Sequence, residues 1–353
     1  MVNKYLSTMN YEQDFIFKLK REKNQLLQIL DQFHNLEILV IGDLTLDEFL
    51  TGEVERLSRE APVLILRHEQ TNQIPGGGAN AVYNLAKLGA KIKVAGYVGD
   101  DIQGEALVKI FREAGIDTTG IVKDNQRPTV TKTRIAGHAR QSVTQQIVRV
   151  DRKSDELPTK ILQNQLADYI TSQISQVDAV VCSDYGDGVF TPHIIKSSLS
   201  HPLVIVDSQQ DLGRFYQATL FTPNLPEAEL AVGYGIKDEA SLMQAGKDLL
   251  IQTQAQYMLI TRGEEGMSLF TQKQDSLDVE HIPAFNRTDV FDVTGAGDTV
   301  VSALSLALCS GATPWEAAVL GNLAASIVVR VFGTATTTVE EMKEALNVYL
   351  EEN

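Results

Sequence analysis

Eight consecutive residues, Asp292-Val293-Thr294-Gly295-Ala296-Gly297-Asp298-Thr299, combine small side chains with a carboxylate, and an apolar helix-like stretch from Val300 to Leu308 follows them. Small residues let the backbone come close to a ligand. A helix start adds unpaired amides and the positive end of the helix dipole. Together these bind phosphate and stabilise charge developing on a transferring phosphoryl group. In such a patch Asp298 can accept the proton of an attacking hydroxyl, and the backbone at Gly295, Ala296 and Gly297 supplies an anion hole. A glycine-rich turn with an aspartate N-cap is the simpler reading of a bare G-x-G. The full octad favours the chemical one.

The elements that must position this segment are legible as apolar runs. Glu37 to Ile41, Lys93 to Val98, Ala179 to Cys182, Leu203 to Val206, Leu220 to Thr222 and Met258 to Thr261 read as buried strands. Helical patterns at 79–89, 103–114, 159–174 and 239–252 lie between most of them. Such alternation indicates an α/β fold with a mainly parallel sheet covered on both faces, whose ligands sit at the carboxyl ends of the strands. Two stretches, 49–68 and 127–150, hold β-type segments (Val63 to Leu66, Thr129 to Ile135, Ser142 to Val150) with no long helix between them. They read as a small antiparallel sheet projecting as a lid. Residues 11–34 place Phe15, Leu19, Leu26, Leu30 and Phe33 near helical spacing. The expected organisation is an N-terminal helical extension over 1–35 and one large domain over 36–353.

Composition narrows the classes of function. Over 353 residues the formal charge is -15, a field that repels nucleic acid and anionic membrane surfaces. Cys182 and Cys309 lie in apolar runs and read as reduced, buried thiols. There is no apolar signal-peptide core at the N-terminus and no apolar run long enough to cross a bilayer, so a cytoplasmic protein is expected. No histidine–cysteine cluster suggests zinc or iron. His138 reads as a solvated loop residue.

At the octad the sequence resembles the ribokinase-like (PfkB) carbohydrate kinase family, and four further motifs fall in the family's order from about Leu36 onward. Gly42-Asp43-Leu44-Thr45-Leu46-Asp47 resembles its first strand end, and Pro75-Gly76-Gly77-Gly78-Ala79-Asn80 its sugar-binding glycine turn. Asn224-Leu225-Pro226-Glu227 resembles its N-x-x-E motif, and Thr261-Arg262-Gly263-Glu264-Glu265-Gly266 its nucleotide loop. The resemblance implies a three-layer ribokinase-like fold, ATP and Mg2+ as cofactors, a sugar or sugar phosphate as acceptor, and a homodimer joined through the lid. Within the family, Val54 to Val63, Ser183-Asp184-Tyr185, Gln145-Gln146 and Leu220 to Asn224 resemble kinases of D-glycero-β-D-manno-heptose 7-phosphate. The implied reaction phosphorylates the anomeric hydroxyl to the 1,7-bisphosphate; a fructose- or ribose-like acceptor, or an inactive sugar- or nucleotide-binding regulator, are the alternatives. Some relatives fuse this kinase to a nucleotidyltransferase. This sequence stops at Asn353, so a kinase without that second activity is expected.

The resemblance also implies roles. Asp43, Asp47, Gly76, Gly77 and Asn80 fall on the sugar side. Asn224, Thr261, Arg262, Gly263, Gly266, Gly295, Gly297 and Asn322 fall on the ATP side. Each has a plainer reading: Asp43 and Asp47 as turn-capping residues, Asn224 and Glu227 as a helix-capping pair. Glu227 is favoured as a water-mediated magnesium ligand, because magnesium accompanies ATP. Arg56 and Arg134 are candidate contacts to a substrate phosphate, since arginine matches phosphate bidentately. The sequence departs from the family pattern at Arg59, which stands in place of proline, and at Asp187 and Gln209, which stand in place of lysine.

Overall fold

In the computed structural model, described for all residues except 1, 140–142, 274–275, 287–289, 291 and 332 and without the side chains of 2–11, strand β1 (Glu37–Gly42) lies inside the main sheet. Its side chains alternate between two cores. Ile38 and Val40 join one, and Leu39 and Ile41 the other. A strand buried on both faces reads as a continuous apolar run, which is why no alternation marks it in the sequence.

The lid begins where β1 ends. Strand β2 (Leu44–Leu57) returns as β3 (Leu64–Gly77), which leads directly into helix α2 (Gly78–Lys87). Strand β4 (Lys91–Gly99), helix α3 (Ile102–Glu113) and strand β5 (Asp117–Asp124) then extend the main sheet. Strands β6 (Val130–His138) and β7 (Gln145–Arg152) complete a lid of order β3-β2-β6-β7. The lid is mixed rather than antiparallel: β2 and β3 pair antiparallel, as do β6 and β7, but β2 and β6 run parallel. Both central lid strands leave the same end of the main sheet, so they run the same way. Residues 140–142, and with them the start of the Ser142–Val150 segment, lie outside the described residues.

Beyond the lid come helix α4 (Lys160–Gln173), strand β8 (Ala179–Asp184), helix α5 (Pro192–Ser198), strand β9 (Val204–Ser208), strand β10 (Leu220–Phe221), helices α6 (Leu225–Val232) and α7 (Glu239–Thr253) and strand β11 (Tyr257–Thr261). Strands β12 (Met267–Gln272) and β13 (Leu277–Ile282) and helices α8 (Ala296–Cys309), α9 (Pro314–Val328) and α10 (Val339–Glu352) close the chain. The nine-stranded order is β13-β12-β11-β10-β9-β8-β1-β4-β5, parallel except at the β11-β12-β13 edge. No helix among the described residues is long and apolar enough to cross a membrane.

Helix α1 (Val2–Gln32) covers part of this edge. Phe15, Leu19, Leu26 and Leu30 are buried in the same core as β1 and α8. Phe15 meets Phe285 edge-on at 5.8 Å and Trp315 at 6.2 Å, and Lys18 pairs with Glu280 at 2.6 Å. The helix is therefore continuous with the core. Phe15→Ala should destabilise the protein by about 3 kcal/mol, the usual cost of deleting a buried aromatic ring. Urea denaturation checks this, and a change under about 0.5 kcal/mol, the range of ordinary surface sites, would show the helix to be dispensable.

Candidate active site

Asp298 lies in the first turn of α8, only 3% exposed. Its Oδ2 accepts from the Asn80 amide at 2.8 Å and its Oδ1 from the Tyr185 hydroxyl at 3.1 Å. Burial is the main influence on its acidity and raises its pKa to about 6; the Asn80 and Tyr185 hydrogen bonds and Lys132 oppose the rise, and Asp47 adds to it. The group is thus a carboxylate at neutral pH, with more basicity than an exposed aspartate has.

The residues around it explain how the motif folds. Gly295 precedes α8 with φ +80°, and a Cβ there would come 2.6 Å from the Asn80 amide nitrogen. A glycine is needed both for that conformation and for the Asn80–Asp298 bond. Asn84 donates to the Asn80 side-chain oxygen at 3.1 Å and accepts from Thr299 at 3.0 Å, which ties α2 to α8. Asn80, expected as a sugar contact, spends an amide donor on Asp298. The Ala296 amide donates to the Val293 carbonyl at 3.1 Å and is withdrawn from the expected anion hole. The amides of Gly297 and Asp298 have no acceptor among the described residues, and the space beside Gly297 is open.

The sugar-side candidates divide. Asp47, on β2, faces Arg134, on β6, at 2.9 Å, with both side chains largely buried. The approach is one of charge: Asp47 Oδ1 and Arg134 Nη1 both lack a hydrogen bond, as does the buried Thr45 hydroxyl. Buried polar atoms without partners are costly, so this cluster is poised for a polar ligand. Gly76 makes room for it, because a Cβ there would meet the Asp47 carboxylate at 2.7 Å. Gly77, with φ +52°, precedes α2. The expected glycine turn is in fact the end of β3, where Pro75 is tolerated because β3 is an edge strand.

Asp43 is turned away from this cluster. Its carboxylate accepts from the backbone amides of Tyr185 at 2.8 Å, Asp187 at 3.1 Å and Val189 at 3.1 Å. Its structural role in shaping that loop replaces the expected sugar contact. Arg56 is exposed and lies nine residues beyond Asp47 on β2, on the order of 30 Å at strand spacing. A phosphate held between Asp47 and Asp298 in the same chain is out of its reach.

On the nucleotide side, Asn224 and Glu227 form a reciprocal capping box at the start of α6, each bond 2.9 Å. That occupies one Glu227 oxygen and leaves the other. Asn224 bridges to Thr261 at the end of β11, and the Thr261–Gly266 loop closes with the Arg262 amide donating to the Gly266 carbonyl at 2.8 Å. The Arg262 guanidinium pairs with Glu265 at 3.1 Å, and Gly263 and Gly266 adopt positive φ. Asn322, expected to touch ATP, is buried on α9 and donates to the Pro283 carbonyl at 2.8 Å. That bond fixes the loop at Pro283 and uses one of the two amide donors.

Three further residues join the site: Tyr185, from the Ser183-Asp184-Tyr185 segment, and Asp207 and Lys132, to which the sequence assigns no role. Tyr185 and Asp207 stand at or just after the ends of β8 and β9, the place where strand-end chemistry is expected. Lys132 stands across from Asp47 in the β2–β6 register. Burial pushes the Asp207 carboxyl well up, and its neighbours Asp298 and Glu227 push it further. Among the described residues no three acidic, histidine or cysteine side chains converge as a self-sufficient metal site. A divalent cation that keeps waters and phosphate oxygens fits this sparse acidic donor set.

The strands, the lid and this arrangement of Asp298 define a ribokinase-like kinase fold. A family model described as pfkB family carbohydrate kinase matches residues 35–342, and the chain belongs to that family. It is 40% identical over 327 residues to the "Bifunctional protein HldE" of Geobacter metallireducens, covering 91% of this chain and 65% of that protein. The protein of the same name from Pelobacter propionicus is 39% identical over 92% of this chain and 66% of its own length. The chain thus spans just under two thirds of these relatives. Phosphofructokinase-2 from Escherichia coli has the same fold, with a TM-score of 0.71 at 18% identity over 90% of this chain and 99% of that one. Ribokinase from Arabidopsis thaliana gives a TM-score of 0.65 at 18% identity over 90% and 99%.

Proposed function

We propose that this protein is an ATP-dependent sugar kinase, with D-glycero-β-D-manno-heptose 7-phosphate as acceptor and the 1,7-bisphosphate as product. The observation that carries the reading is Asp298, buried at the start of α8 between two hydrogen-bond donors and beside open amides. The sugar binds under the lid against Asp47 and Arg134. Asp298 takes the proton of the acceptor hydroxyl as its oxygen forms a bond to the γ-phosphorus. The bond from that phosphorus to the bridging oxygen breaks, and ADP leaves. The Gly297 and Asp298 amides hold the charge on the transferring group. Glu227 would hold magnesium through water, and the ion would screen the ATP phosphate charges.

The choice of a phosphorylated acceptor rests on the Val54–Val63 segment and on Arg134 and Lys132 beneath the lid. These cations counter a formal charge of -15, whose field is screened beyond about 8–10 Å at physiological salt. Steady-state kinetics should give heptose 7-phosphate a higher kcat/KM than free heptose, fructose, fructose 6-phosphate or ribose. A preference for free fructose or ribose would replace the heptose reading with a general sugar kinase.

The lid also supports a homodimer. Leu57, Val63, Leu64, Ile147, Val148 and Val150 are exposed apolar residues of the lid region, and an open small sheet is stabilised by covering such residues. Sedimentation should show a dimer that Val148→Glu weakens by at least about tenfold in Kd, a typical effect for a charge forced into an apolar interface. A monomer at micromolar concentration would contradict the lid pairing.

A further inference from the structure

Lys132 enters the reading above only as one of the cations beneath the lid and Tyr185 only as a donor to Asp298, yet together they join the lid to that carboxylate. Lys132 belongs to β6, a lid strand. Its ammonium stands 5.6 Å from the centre of the Tyr185 ring. Tyr185 follows β8 of the main sheet, its amide is fixed by Asp43, and its hydroxyl donates to Asp298 Oδ1. One end of the tyrosine therefore meets the lid, and the other meets the group that takes the proton.

We propose that Lys132 and Tyr185 are positioning residues that couple lid closure over the sugar to the readiness of Asp298. This rests on the reading of Asp298 as the base. When the lid lies down, Lys132 settles over the ring, a favourable cation–π placement. The ring then holds its hydroxyl on Oδ1, which orients the carboxylate and favours its charged form. With the lid raised, Lys132 withdraws its charge and the tyrosine loses that support. Asp298 is then less ready to act while the site is open to water, where transfer would only hydrolyse ATP.

The charges around Asp298 make this cation matter. Asp47 from β2, Asp207 from β9 and Glu227 from α6 add negative charge to the site, while Lys132 acts on Asp298 from β6. Arg134, also on β6, is engaged with Asp47. Lys132 further faces Asp187, whose acidity responds first to burial and then to Lys132, Lys153 and Arg127. Asp187 stands in the loop that Asp43 organises, so the loop carrying Tyr185 attracts the lid lysine. The buried Tyr185 hydroxyl is pushed well above the ordinary tyrosine range and stays a donor throughout the working pH range.

The test is kcat against pH at saturating ATP and sugar for the full chain and for Lys132→Met, Lys132→Arg, Tyr185→Phe and Lys132→Met/Tyr185→Phe. Lys132→Met and Tyr185→Phe should each move the acid limb up by about half a unit or more and lower the plateau by about tenfold, with KM for ATP changed less than about twofold. Lys132→Arg should restore the limb. The double variant should fall little below the worse single one, because the two act in one chain. If Lys132→Met raises only the sugar KM and leaves the limb in place, the lysine is a simple sugar contact and the coupling is wrong. If the two losses multiply, the residues act independently and the coupling is equally wrong. Lys132 is a partly exposed strand residue, so its variants test the proposal even where Tyr185→Phe does not fold. Asp298→Asn, run alongside, separates the two readings: retained activity there overturns the base, whatever Lys132 does.

Discussion

Asp298→Asn should lower kcat by about a hundredfold or more, the loss expected when a positioned general base is removed, while ATP still binds within about twofold of wild type. Asparagine keeps the shape and can still accept one of the hydrogen bonds from Asn80 and Tyr185. What it lacks is a site for the proton. Stability separates this from misfolding. The folded pKa of about 6 lies above the ordinary aspartate value of 3.8, so the stability linked to the protonated group is present below about pH 4 and lost as pH rises through about 6. Removing the charge should therefore not lower the melting temperature at pH 8 relative to pH 5. A folded variant with near-normal turnover would remove Asp298 from the chemistry.

Asp47→Ala is expected to reduce kcat/KM for the sugar by about a hundredfold, with KM for ATP little changed. Two losses combine in it. The acceptor proposed to meet the sugar hydroxyls disappears, and Arg134 keeps a buried, unpaired guanidinium nitrogen, which is costly. Asp47 belongs to the lid base and not to the nucleotide loops. Steady-state kinetics with each substrate varied in turn separates the two sides. A variant impaired in ATP binding alone would place Asp47 on the wrong side of the site.

Asp298 was legible in the sequence because its signal is local: the glycines, the carboxylate and the following helix are consecutive. The strands of the central sheet were legible as apolar runs for the same reason. The antiparallel edge was harder. Strand β13 is half-buried and carries acidic residues, so it lacks the apolar run that marked β1 and β8. The partners of Asp298 were less legible still. Asn80 lies 218 residues from Asp298 and Tyr185 lies 113 residues away, and topology alone brings them together. Asn80 stands out in the sequence as a polar residue where packing needs none, and Asn322 only through the family resemblance; neither signal says whether the partner is a ligand or a neighbour. Asp43 and Asp47, four residues apart, show the same limit. A single extended stretch turns one toward a backbone loop and the other toward Arg134. The Ser183-Asp184-Tyr185 segment carries Tyr185 without giving it a role, and a strand end could have pointed to Asp207. Lys132 becomes visible only through the parallel β2–β6 register, which an antiparallel lid would not have produced.

The central claim is transfer of a phosphoryl group from ATP to a sugar by the site around Asp298. Phosphorus NMR of the protein with magnesium, ATP and heptose 7-phosphate is the decisive test of that transfer. The expected spectrum gains ADP and, in equal amount, a second phosphate ester coupled to the anomeric carbon, and Asp298→Asn slows the appearance of both by about a hundredfold or more. ADP accumulating with no new ester, for this acceptor and for every other sugar or sugar phosphate tried, would contradict the account.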